Sequence, residues 1–105
     1  MRACLIALAL LAAAHVAHAQ DAAAGKAKAV ACAMCHGPQG IAVAPDTPNL
    51  AGQPASYIEE QLKAYRGGTR KHEVMTLMAK PLSDADIANL AAWFSAIKVE
   101  ATIPK

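Results

Sequence analysis

Large aromatic side chains are scarce in this chain. One Trp, one Phe and two Tyr are spread over 105 residues, and much of the apolar content is alanine. That excludes a generous self-contained core in so small a domain, and length allows one domain at most. An excess of one charge is missing as well: ten Lys and Arg stand against eight Asp and Glu, for a formal net charge of +2. With no dense basic stripe and no interleaved aromatics, nucleic acid is excluded as a partner. Only three cysteines occur, Cys4, Cys32 and Cys35. The one long apolar run, Ala3 to Ala14, is shorter than the roughly 20 residues that a membrane span needs.

That run reads as an export signal rather than as part of the fold. Met1-Arg2 is a short positive start, and Ala17-His18-Ala19 is an A-x-A-like cleavage site, so Gln20 would begin the mature chain. Residues 1–19 are therefore expected to be cleaved and 20–105 to form the domain. Cleavage would take Cys4 with it and leave no stable membrane insertion. The expected compartment is the periplasm.

The remaining cysteines belong to Cys32-Ala-Met-Cys35-His36. Two cysteines three apart, followed directly by histidine, form the pattern of covalent c-type haem attachment. On one helical turn, positions i and i+3 share a face, so both sulfurs reach one edge of a flat porphyrin. His36 can then bring its imidazole under the iron as a proximal ligand. The alternatives are weaker. A thioredoxin-like dithiol wants a preceding strand, and none is visible. A structural zinc site wants four ligands, but only His72 follows among cysteines and histidines. A plain disulfide is the bland possibility. One buried haem would also fill the core that the scarce aromatics leave empty.

Helix signals flank this motif. Asp21 opens an alanine-rich helix that should run to about Ala33. Gly25 is costly inside it, by about 1 kcal/mol relative to alanine, and is best explained by another helix crossing there. Pro38 to Pro54 holds four prolines and reads as a long loop that wraps the haem, with Ile41, Val43 and Leu50 as apolar contacts. Its carbonyls lie close enough in sequence to accept from the His36 ring. Pro54 starts a second helix, ended near Gly67-Gly68, with Ile58, Leu62 and Tyr65 inward. Glu59 and Lys63 form an i,i+4 pair on its outer face. Thr69 to Lys80 reads as irregular and supplies Met75 and Met78, two candidate thioether ligands. Ser83-Asp84-Ala85-Asp86 resembles a capping box, and Ile87, Leu90, Ala91, Phe94 and Ile97 mark a last helix to about Lys98. The fold class is all-α: three main helices and long loops around one haem.

Taken together, Cys32 to Gly37, Pro48 to Gln53, Tyr57 with Gln61-Leu62, Gly67 to Arg70, and Met75 through Asp84 resemble a class I c-type cytochrome. The likeness is to short periplasmic mono-haem proteins and to one half of the di-haem ones. It implies the cytochrome c fold over residues 20–105 and one covalent haem c held by Cys32 and Cys35. It implies iron ligated by His36 and by the methionine ahead of Leu82-Ser83-Asp84, namely Met75, with Met78 second. It further implies Gly25 packed against Phe94 or Trp93, and a carbonyl offered to His36 by Pro45. With a single attachment motif, one haem is expected. The implied role is a non-enzymatic electron carrier with transient periplasmic redox partners. The competing readings are a haem subunit bound to a dehydrogenase or oxidase, and a five-coordinate haem that binds gas or does peroxidase chemistry.

Overall fold

The computed structural model describes residues 20–105. The expected signal cleavage after Ala19 lies outside them. Among the described residues the fold is built from helices alone: α1 (Ala22–Lys28), a 3₁₀ turn (Ala29–Cys32), α2 (Ala33–His36), α3 (Ala55–Gly67), α4 (Met75–Ala79) and α5 (Asp84–Ala96). The first three run on without a break, so the first expected helix extends to His36, with its middle tightened.

The Asp21 carboxylate accepts from the N–H groups of Ala23 and Ala24 at 2.9 and 3.1 Å and so caps α1. Its own N–H donates to Asn89 Oδ1 on α5 at 2.9 Å. Gly25 is buried where α1 crosses α5: a Cβ there would fall on the Asn89 carbonyl and within 2.9 Å of the Trp93 Cβ. The crossing expected at Gly25 is present, against Asn89 and Trp93 rather than Phe94. Phe94 instead closes over Gly40, whose φ of +75° suits a residue without a side chain.

Helix α5 forms the centre of the fold. Ser83 Oγ accepts from the Asp86 N–H and Asp86 accepts from the Ser83 N–H, both at 3.0 Å, which completes the anticipated capping box. Ile87, Leu90, Ala91 and Phe94 are all buried. Burial of a side chain the size of Leu90 contributes about 1.5–3 kcal/mol. Ile58 of α3 and Ala29 complete the core, with Leu62 and Ile97 packed against it. The helix stops at Ala96, slightly short of expectation, and Ile97 is extended. Arg66 ties α3 to the start of α5 through the Leu82 carbonyl at 3.0 Å and the Asp84 carboxylate at 2.6 Å. Helix α3 ends as read from the sequence, with Gly68 left-handed at φ +86°.

One expectation needs correcting. The stretch after Gly68 is not wholly irregular, because α4 forms over Met75–Ala79 and packs on α3. Five residues are too few to show a helical period.

Candidate cofactor site

The 3₁₀ turn and α2 present Cys32 and Cys35 on one side, both half-buried and free. Both line a cavity of about 750 Å³, within the range of about 300–1,000 Å³ usual for cofactor and ligand sites. Its walls include Leu50 from the loop, Ile58 and Leu62 from α3, and Leu90 and Phe94 from α5. His36, Met75 and Met78 line the same cavity. The structure thus brings together every residue singled out from the sequence for cofactor attachment and ligation.

The donor set has a definite chemistry. Burial pushes the Cys32 thiol above its ordinary value. A dithiol that attacks disulfides needs the opposite shift. Among the described residues, no group of three or more His, Cys, Asp and Glu side chains stands close enough to hold a metal ion, so a zinc site lacks its ligands. His36 is buried, and its Nδ1 lies 2.8 Å from the Pro48 carbonyl. A carbonyl only accepts, so Nδ1 carries the proton and donates it, and Nε2 keeps a free lone pair for a metal. The acceptor is the Pro48 carbonyl, not that of Pro45. Pro48 begins the Pro48-Asn49-Leu50 segment, which was the signal available for it in the sequence.

The loop is built to hold this carbonyl. Val43 and Ala44 N–H groups both donate to the Cys35 carbonyl, at 3.1 and 3.2 Å. Leu50 and Ala51 donate to the Gly40 carbonyl at 2.8 and 3.0 Å, and Gly52 donates to the Phe94 carbonyl at 2.9 Å. Of the three apolar loop residues expected at the cofactor, Leu50 lines the cavity. Ile41 and Val43 do not; both are exposed, Val43 where its N–H closes the loop on the Cys35 carbonyl.

On the α4 side, Met75 is half-buried, whereas Met78 is 39 % exposed. Tyr65 is buried under the Arg70 guanidinium, 4.6 Å from the ring centre, and Arg70 donates to Gln61 Oε1 at 2.7 Å. Arg70 and Gln61 both line the cavity; they lie in stretches that carry the family likeness, but neither was given a role at the site. A second depression, of about 590 Å³, lies beside Arg66, Lys71 and Lys80 and carries no thiol or thioether.

Two sulfurs on one face, an imidazole with its outer nitrogen engaged, thioethers and apolar walls fit a covalently attached haem. Comparison with known proteins agrees. The family described as cytochrome c matches residues 22–98. Cytochrome c-554(548) of Halomonas halodenitrificans is 52 % identical over 80 residues, covering 73 % of this chain and 96 % of its own. The thiosulfate dehydrogenase electron acceptor of Thiomonas intermedia is 42 % identical over 77 residues, which are 72 % of this chain and 36 % of that one. The crystal structure of reduced recombinant cytochrome c4 from Pseudomonas stutzeri superposes with a TM-score of 0.71 at 42 % identity, covering 76 % of this chain and 47 % of that chain. This chain therefore spans almost all of the first relative and half or less of the other two. The chain belongs to the cytochrome c family of electron-carrying haem proteins.

Proposed function

We propose that this chain is an exported single-electron carrier with one haem c, joined by thioethers to Cys32 and Cys35. His36 would hold the iron through Nε2 and Met75 through its thioether, with Met78 the second choice. The bound haem supplies a one-electron Fe(III)/Fe(II) couple. The observation that carries this reading is the meeting of Cys32, Cys35, His36 and Met75 on one apolar cavity. The preference for Met75 rests on its deeper burial and on the family likeness.

The remaining roles follow from the side chains. Pro48 orients the imidazole and makes it a stronger donor by accepting the Nδ1 proton. Leu50, Leu90 and Phe94 keep water from the cavity. An imidazole and a thioether together leave no open position for a small substrate, which favours transfer over gas binding or peroxidase chemistry. Met34, 87 % exposed, and Tyr57, 46 % exposed, stand on the cavity wall and offer partners an apolar contact surface. Such partners would be redox proteins met in short-lived encounters with small interfaces. The periplasm is the compartment that the expected signal implies, and no described helix is long and apolar enough to cross a membrane. The relative named as an electron acceptor of thiosulfate dehydrogenase supports a second reading, in which the chain serves as the haem subunit of such an enzyme.

Haem staining and mass measurement of the exported protein test this reading. One covalent haem on a chain starting at Gln20 is the expected result. A colourless protein with free or mutually oxidised thiols overturns it. Met75→Ala should abolish the methionine–iron charge-transfer band, and Met78→Ala should keep it; the reverse would transfer the ligand role to Met78. Stable co-purification with a catalytic chain would favour the subunit reading.

A further inference from the structure

His72 was the one histidine of the domain left without a role by the sequence. It lines the cavity and stands three residues before Met75. Its Nδ1 accepts from the Val74 N–H at 3.2 Å and from the Met75 N–H at 3.3 Å. Its backbone N–H donates to Thr76 Oγ1 at 3.0 Å, and its carbonyl accepts from the Thr76 N–H at 2.9 Å. The helical hydrogen bonding of α4 thus begins at His72. An imidazole occupies the place usually held by Ser, Thr, Asp or Asn, and Thr76 reaches back to close a reciprocal pair.

We propose that His72 is a positioning residue for the Met75 thioether, acting as the cap that holds the first turn of α4 against the cavity. This rests on the ligand reading given above. A five-residue helix has little hydrogen bonding of its own, since the first turn of any helix is costly to form. Without a cap, its leading N–H groups lose their partner and the turn frays. The residue that frays with it is Met75, whose own N–H is one of the two held. The backbone bond from the Met78 N–H to the Val74 carbonyl, at 3.0 Å, lies on the same turn. His72 thereby sets the fraction of molecules in which the thioether is in place, without touching the iron itself.

The test is an imidazole titration of the oxidised holoprotein, followed by loss of the methionine–iron band. Exogenous imidazole binds only when the thioether is away, so its apparent affinity reports that fraction. His72→Leu removes the cap and should tighten apparent imidazole binding about fivefold, the effect of one lost cap. His72→Asn restores an acceptor at the cap position and should return the affinity to the wild-type value. The global unfolding midpoint should move much less than the imidazole affinity, because His72 is exposed and outside the core. A His72→Leu protein that titrates like wild type overturns the proposal, and so does an Asn variant that behaves like Leu. Slow exchange of the Val74 and Met75 amides in the wild type, made fast in the Leu variant, is the second expected result; equal exchange in both overturns the cap. If wild type itself lacks the methionine–iron band, the ligand reading fails and the role of His72 falls with it. If the band is present and His72→Leu changes nothing, only His72 fails.

Discussion

Gly25→Ala separates two accounts of the same residue by sign. If Gly25 were simply tolerated inside α1, alanine should stabilise the helix by about 1 kcal/mol. The structure argues the opposite. The new Cβ would land on the backbone carbonyl of Asn89, which cannot rotate away as a flexible side-chain tip would, and 2.9 Å from the Trp93 Cβ. Relief requires α1 and α5 to separate. Overpacking of this kind costs about 1–3 kcal/mol. Separation also weakens the bond from the Asp21 N–H to Asn89 Oδ1, a loss of about 1 kcal/mol. After the gain in helix propensity, the net is a destabilisation of about 2 kcal/mol, taking the middle of the overpacking range. In a domain of this size that lowers Tm by about 8–16 °C. Thermal unfolding of the holoprotein, followed by circular dichroism, measures it. An unchanged or raised Tm would refute the close crossing of α1 and α5 as drawn.

Two further outcomes follow. The Asp84 carboxyl is held below its ordinary value, chiefly by its hydrogen bond to Arg66, and that of Asp86 chiefly by the Ser83 backbone N–H. Both bind a proton more readily when unfolded, so their contribution is full above the unfolded value of about 3.9 and is lost as pH falls through the lower folded values. Melting temperatures taken from about pH 6 to pH 2 should show this loss below about pH 4, and Asp86→Asn should make the decline shallower. Leu90→Ala removes a side chain that is 2 % exposed and lines the cavity. It should cost about 2–5 kcal/mol, read as a lower denaturant midpoint.

Much of the fold was legible because the relevant signals are local and strong. Ser83 with Asp86, the stripe of α5 and Gly68 after α3 each announce themselves within a few residues, and the structure has them as read. What was missed depends on distance. No local pattern tells Phe94 from Asn89 and Trp93 as the surface facing Gly25, because that depends on where along α5 the crossing falls. Pro45 was the proline expected at His36, but the backbone bonds to Cys35 and Gly40 curl the loop so that Pro48 presents its carbonyl instead. Ile41 and Val43 are apolar yet exposed, and no local pattern separates them from Leu50, which lines the cavity. Helix α4 escaped notice because its cap is an imidazole, a residue type with no place in the usual start signal.

The loop between α2 and α3 is tied by backbone bonds to Cys35 and to Phe94 and is closed on itself at Gly40, and these bonds bracket the Pro48 carbonyl. Among the described residues, helix α4 has no such backbone bonds to another element and leans chiefly on α3. One wall of the cavity is thus a fixed jamb and the other a light leaf. When the protein breathes, the sulfur side should swing first, and the imidazole should be the last contact surrendered.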